Sequence, residues 1–382
     1  AALRRALAQA PGHPVAFALL AELLFQKADQ GPLEAFVQDA VGRGGAAAFR
    51  AASVLSRLDR RDEALAALAN AEAANGPSAA TDMLAAELLR LDGDFPRALL
   101  RARAAAARAP GDRAAHAPLA RLLLTSGAAA EAEAIARRIL AVAPFDQLWL
   151  ALLWTSLAAQ RSPEADDLLD LDRDIAAIEL TPPAGYPSIA AFNAALAADL
   201  APLHRAAGPP LGQSVHGGSQ TRRPLQSVAS PAIAAFFREA RGAAERFAAA
   251  LPENPGHPFH RGRQAPQRVT GAWSVRLAPG GSHASHVHPG GWISSAYYVD
   301  LPGDADSGAD GRGSLALGQP PFPVDALSAP RRLIEPRPGR LALFPSYCWH
   351  GTLPFRGPGQ RLTIAFDIAL ANAAGEPSGA GR

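Results

Sequence analysis

The 382-residue chain has one cysteine, one lysine and no long uncharged apolar run. The single Cys348 excludes an intrachain disulfide framework and suits a reducing, cytoplasmic compartment. It lies two residues before His350, which leaves two readings: a catalytic thiol, or a small buried hydrophobe beside Trp349. The second is favoured. No stretch of about eighteen apolar residues lacks charge, so no membrane span is expected. No secretory signal is legible, but the chain opens Ala1-Ala2-Leu3 without a Met, so that absence carries little. Net charge is only +2, with 37 basic residues (all arginine except Lys27) against 35 acidic ones. No basic block with interleaved aromatics occurs, which argues against nucleic acid as a partner. What remains is a globular composition, 48% hydrophobic and 19% charged, long enough for two domains.

Residues 1–164 are rich in Ala, Leu and Arg, carry helical periodicity, and repeat. Pro77, Pro110 and Pro144 lie 33 and 34 residues apart, each just before a new helical stretch. Ala64, Ala98 and Ala132 are spaced 34 and 34, and Gly93 and Gly127 are 34 apart with Asp59 one period earlier. The small Ala lets two helices approach closely, and the Gly or Asp closes the turn between them. This period resembles the tetratricopeptide repeat over roughly residues 10–160, although the aromatic positions of that pattern are largely missing. The plainer alternative is an ordinary helical bundle. Stacked repeats present a concave surface to a peptide or protein, and the same surface would serve equally for packing or dimerisation.

From residue 165 the pattern changes. Pro182-Pro183, Gly185 and Pro187 break the helices, and 190–204 reads as one further amphipathic helix. Ser230-Pro231 supplies an N-cap and a first helical position for a helix running to about Ala249. After Pro255, short aliphatic and aromatic stretches alternate with Gly/Pro turns: 273–277, 292–299, 313–317, 339–344 and 360–369. Such spacing predicts an antiparallel barrel or jelly roll. The expected architecture is multidomain, α and β. An N-terminal α-helical repeat solenoid covers 1–164, a double-stranded β-helix (jelly-roll) barrel with flanking helices covers 165–370, and a disordered tail covers 371–382.

The chemistry-bearing residues fall in the second domain. His286 and His288 alternate and so point to one face; His350 follows about sixty residues later, and Arg361 eleven after that. Three imidazoles around one closed site suit Fe(II), Zn or Cu. The two stretches that carry them are expected on facing strands. His283 is a fourth candidate, better placed behind the ligands or at the surface. Along 361–367 alternate residues share a face, so Arg361 and Thr363 would point into the barrel. A buried guanidinium needs a partner. That partner is either a structural carboxylate, such as Asp300 or Asp367, or the distal carboxylate of a ligand, gripped bidentately with help from the Thr hydroxyl. One of Tyr297 and Tyr298 must face inward, and Tyr298 is favoured as a phenol donor to the same carboxylate.

The run His286 to Val299, with Phe344-Pro345-Ser346, His350-Gly351-Thr352 and Arg361 to Asp367, resembles the 2-oxoglutarate/Fe(II)-dependent oxygenases that carry tetratricopeptide repeats. Gln213 to Thr221 resembles an upstream signature of the same family, and the likeness spans about residues 170–370. It implies a dioxygenase that uses Fe(II), 2-oxoglutarate and O2 to hydroxylate a C–H bond. It also implies that His286 and His350 are iron ligands, and that Arg361, Thr363 and Tyr298 hold the 2-oxoglutarate carboxylate. The commonest ligand set has a carboxylate where this chain has His288. Either His288 completes a three-His centre, or it lines the site and water fills the third position. The repeats in front suggest a protein or peptide substrate. Trp292, Trp349, Tyr347 and Phe355 are candidate pocket walls, and Arg222 and Arg223 candidate contacts to an acidic substrate; their plainer readings are core and solvated surface. Two rival functions stand beside the oxygenase. One is a three-His cupin-type metal dioxygenase without 2-oxoglutarate; the other is a repeat-based protein-binding scaffold with an inactive barrel.

Overall fold

The computed structural model describes residues 2–27, 29–204, 211, 214–221, 223–302, 311–355 and 358–371. Gln213, Arg222 and tail residues 372–382 therefore lie outside the described residues. Contacts divide the chain into two units, 1–135 with 210–213, and 136–209 with 214–382. This division falls earlier than the change of domain expected at 164/165.

The first unit is helical. Its later helices come in pairs, Gly45–Arg57 with Arg61–Asn75 and Ala79–Leu91 with Phe95–Arg108; Arg113–Thr125 follows, and Ala129–Leu140 begins in this unit and ends in the second. The turn inside each pair is the same. Asp59, Gly93 and Gly127 take positive φ angles of 58, 78 and 80°. The next backbone N–H then donates back into the preceding helix, from Arg60 to Leu55, Asp94 to Leu89 and Ala128 to Leu123, at 2.8–2.9 Å. This closure satisfies a carbonyl that the helix end leaves free. Ala64, Ala98 and Ala132, which recur at the repeat period, are all buried. The core around Ala64 includes Phe17, Leu20, Leu24, Val37, Leu55, Leu68 and Leu88.

The same turn occurs once more in the second unit. Arg161 has φ 56°, and Ser162 donates to Leu157 at 2.9 Å, between Gln147–Ala159 and the short helix Glu164–Leu168. Among its described residues the rest of that unit carries nine strands. They are β1 (Ala176–Glu179), β2 (Val215–Gln220), β3 (Gln267–His286), β4 (Ile293–Asp300), β5 (Leu315–Leu317), β6 (Arg332–Ile334), β7 (Arg340–Pro345), β8 (His350–Thr352) and β9 (Arg361–Leu370). The order across the sheet is β1-β7-β4-β9-β3-β8-β5-β6, with β2 also on β3. All pairings are antiparallel. The result is a nearly closed barrel of jelly-roll type.

Two helices flank this barrel, Ile189–Leu200 and Pro231–Ala250. Ser230 caps the second, its Oγ accepting from Ile233 N at 3.0 Å. The helix places Phe236 4.9 Å from the Tyr297 ring and 6.0 Å from Phe366. Strand β3 bends: its first part pairs with β9 and its last residues with β8. That bend brings the end of β3, all of β8 and the start of β9 around one cavity.

Candidate functional site

His286 on β3 lies directly opposite His350 on β8. The two histidines thus sit on neighbouring, paired strands, not on the facing strands that the sequence suggested. A register shift between His283 and His286 sets this pairing. His288 lies just past β3, where its N–H donates to Ser346 O at 3.0 Å and its carbonyl accepts from Gly291 N at 3.2 Å. One ring nitrogen from each of His286, His288 and His350 lies within 4.8 Å of the others. The ring centroids are 4.3–5.0 Å apart.

The hydrogen bonds fix how these rings are turned. His286 Nδ1 meets Ala284 O at 2.8 Å, His350 Nδ1 meets Cys348 O at 2.9 Å, and His288 Nδ1 meets Asp367 Oδ1 at 2.6 Å. All three partners are acceptors, so each Nδ1 carries the proton and donates. A neutral imidazole protonated at Nδ1 keeps its lone pair on Nε2. Burial, reinforced by the neighbouring rings, pushes His286 down to about 4 and His350 well below the usual histidine range. Neutral rings whose far nitrogen is held by an acceptor are what a metal centre needs.

Arg361 and Thr363 line the same cavity, which measures about 450 Å³ including its open mouth. Arg361 is opposite Leu277, and Thr363 lies between Val275 and Tyr298. Arg361 is 3% exposed. Its Nε and the Tyr298 hydroxyl are both buried without a partner of good hydrogen-bond geometry; the two side chains attract each other weakly, the guanidinium carbon lying 5.0 Å from the Tyr298 ring centre. The structural carboxylates considered from sequence are engaged elsewhere: Asp367 with His288, and Asp300 with the Leu301 N–H. Burial pushes the Tyr298 phenol up, against the nearby guanidinium, so it stays protonated and able to donate. Tyr297 points the opposite way and donates to Asn193 Oδ1 at 2.6 Å. The Thr363 hydroxyl reaches Val275 O only at 3.4 Å. Orphaned buried donors are uncommon in folded proteins, because desolvation without a partner is unfavourable. Two of them beside three convergent lone pairs fit a metal together with an anionic, carboxylate-bearing ligand.

Other candidates fall differently. His283 lines the cavity itself, and burial, then His286 and Arg361, lower its pKa well below the usual range. Cys348 is fully buried and burial pushes its thiol up to about 12, so it is no nucleophile. The proposed aromatic walls are core. Trp349 donates to Thr155 Oγ1, Tyr347 to Leu168 O and Trp292 to Phe259 O, while Phe355 packs with Val215, Val275 and Leu277. The aromatic rings that do line the cavity, Trp273 and Phe344, were not singled out from sequence. A second group, Asp174, His257 and His260, also brings ligand atoms within 4.8 Å, but among its ring nitrogens only His260 Nδ1 lacks a partner. His257 Nδ1 accepts from the N–H groups of Phe259 and His260, and its Nε2 meets Asp167 O. His260 Nε2 and Arg173 share Asp174. That cluster ties loops together.

Residues 271–367 match the family described as "Putative 2OG-Fe(II) oxygenase", and residues 89–153 match the tetratricopeptide repeat. Over residues 271–367 the barrel thus resembles a 2OG-Fe(II) oxygenase domain. That family uses Fe(II), 2-oxoglutarate and O2. The matched segment of the oxygenase domain contains His286, His288, Tyr298, His350, Arg361, Thr363 and Asp367. Among solved structures, the chain is similar to a 2OG-Fe(II) oxygenase family oxidoreductase from Burkholderia pseudomallei (14% identity, 37% of this chain, 58% of that one, TM-score 0.27). It is also similar to a prolyl-4-hydroxylase from Pseudomonas putida (14% identity, 58% of this chain, 98% of that one, TM-score 0.34). A third is HygX from Streptomyces hygroscopicus, solved with nickel and 2-oxoglutarate (16% identity, 54% of this chain, 87% of that one, TM-score 0.34). The chain spans little more than half the length of the first of these. Such likenesses are slight. No curated protein matches the chain.

Proposed function

We propose that this protein is an Fe(II)- and 2-oxoglutarate-dependent dioxygenase that hydroxylates a C–H bond. His286, His288 and His350 would hold the metal. Arg361, with Tyr298 and Thr363, would hold the distal carboxylate of 2-oxoglutarate. The observation that carries this reading is the pair of orphaned donors, Arg361 Nε and Tyr298 OH, in a cavity shared with three imidazoles. When bound, iron supplies the activation of O2 at the expense of 2-oxoglutarate. The protein's part is positioning. Arg361 offers a planar fork matched to a carboxylate, and the Tyr298 phenol adds a second direction of restraint. Val275, Leu315 and Phe344 line the cavity with apolar surface that keeps bulk water from this contact. Three neutral ligands leave the metal's charge uncompensated, which favours an anionic co-substrate.

The repeats ahead of the barrel support a protein or peptide as the substrate, and a division of labour at about 164/165. The recurrence of the repeat turn as far as Arg161 supports that boundary. The lone, buried Cys348 supports a cytoplasmic setting. No helix among the described residues is long and apolar enough to cross a membrane. A three-His centre that ignored 2-oxoglutarate would leave Arg361 and Tyr298 unused.

The test is succinate formation and O2 uptake with Fe(II) and 2-oxoglutarate. The wild type is expected to release succinate even without its true substrate. His350→Ala is expected to release none while keeping its far-ultraviolet circular dichroism. Metal binding with no affinity for 2-oxoglutarate would move the protein to the cupin-type reading. Full biological activity in His350→Ala would favour the scaffold.

A further inference from the structure

The three histidines of the proposed centre are not held alike. His286 and His350 donate to carbonyls two residues back on their own strands, Ala284 and Cys348. His288 lies past the end of β3 and has no such local carbonyl. Its ring is anchored by Asp367 on β9, 79 positions away, at 2.6 Å. Asp367 is set opposite Ser294 by the β4–β9 register, and the Ser294 hydroxyl donates to the same Oδ1 at 2.8 Å. Ser294 Oγ in turn lies 2.9 Å from Ser346 Oγ, and the Ser346 carbonyl takes the backbone N–H of His288. Ring and backbone of His288 are thus tied to one buried polar patch. The approach is close: a Cβ on Gly291 would lie 2.3 Å from Ser346 Oγ. His288 and Asp367 are 13% and 14% exposed, so little water competes for their contact.

Resting on the three-His reading of the centre, we propose that Asp367 is its positioning residue: it orients His288 and returns, one hydrogen bond removed from the metal, the carboxylate charge that the ligand set lacks. A carboxylate accepting from Nδ1 pins the tautomer and makes Nε2 a stronger donor. A ligand on a loop gains more from such an anchor than one on a paired strand. Ser294 and Ser346 keep the carboxylate aimed at the ring.

The probe is Co(II), titrated into the metal-free full-length chain and followed by its visible absorption. Wild type should bind one Co(II) per chain, and His350→Ala should abolish this. No Co(II) binding by wild type, or unchanged binding by His350→Ala, would overturn the metal-centre reading itself. Asp367→Ala should weaken Co(II) binding about 10- to 100-fold and alter the Co(II) spectrum as His288 loosens. Asp367→Asn keeps an acceptor without the charge, and should weaken binding at least about threefold but less than the alanine variant. It decides the matter if Asp367→Ala fails to fold. Affinity within about twofold of wild type in the folded variants would overturn the proposal. So would a loss in both variants as complete as in His350→Ala, which would make Asp367 a direct ligand.

Discussion

Replacing Arg361 with methionine separates the residue's effect on folding from its effect on binding. Arg361 is 3% exposed, its Nε has no partner of good hydrogen-bond geometry, and its neighbour is a protonated phenol. Burying an uncompensated charge is unfavourable, and apolar replacements of similar volume are often stabilising by about 1–4 kcal/mol. Methionine follows much of the same path without a polar atom. A gain of about 2 kcal/mol in a domain of this size raises Tm by roughly 4–8 °C. Binding moves the other way. Truncating one side of a buried charged contact costs about 2–5 kcal/mol, and a mid-range 3 kcal/mol is roughly a 150-fold rise in the Kd for 2-oxoglutarate. Thermal denaturation of the metal-free protein reads the first effect. Anaerobic calorimetry on the Co(II)-loaded protein reads the second. Pyruvate, which lacks the distal carboxylate, is the control and should change less than about threefold. Arg361→Met with lowered metal-free stability, or with unchanged 2-oxoglutarate affinity, would refute the reasoning.

Gly93 has φ 78° and open space where a Cβ would lie. Gly93→Ala should therefore lose only the backbone term, about 1–2 kcal/mol, while Arg161→Gly at the equivalent turn should gain up to about 1 kcal/mol; urea midpoints give both signs. His204 is a pH reporter. It is buried between Ser219 at Nδ1 and Ser274 at Nε2, and Ser274 already donates to Thr363 O, so the neutral ring is the one that fits. Burial, with Arg276 nearby, holds its pKa at about 4 instead of 6.5. The unfolded chain then binds a proton on this residue that the folded chain refuses. The stabilisation is complete above pH 6.5 and is lost as pH falls toward 4, about 2–3 kcal/mol in all. His204→Gln should flatten that limb of the urea stability profile, and an unchanged slope would contradict the assignment.

The helical repeat was legible because its turn demands a left-handed residue, and Gly or Asp at a fixed period announces one. Arg161 adopts the same geometry, but arginine gives no such signal. The barrel's longer strands were legible from their apolar alternation. Strands β1, β2, β6 and β8 were not picked out by that pattern. In β2, His216-Gly217-Gly218-Ser219-Gln220 reads as a loop, and only pairing with β3 makes it a strand. The His and Arg set was visible from residue type and spacing. The role of Asp367 was not. It shares a strand face with Arg361, which made it a candidate partner for that side chain. Six residues of extended chain separate the two by about 20 Å, however, and the β4–β9 register delivers Asp367 to His288 instead. The placement of His286 and His350 on neighbouring strands likewise depends on the bend and register shift of β3, which residue types do not encode.

The most direct measurement is an anaerobic crystal structure of the protein loaded with Fe(II) and 2-oxoglutarate. The iron should be bound by Nε2 of His286, His288 and His350, with the distal 2-oxoglutarate carboxylate on Arg361 Nε and the Tyr298 hydroxyl. Iron held by only two of these histidines, or a 2-oxoglutarate whose distal carboxylate lies away from Arg361, would contradict it.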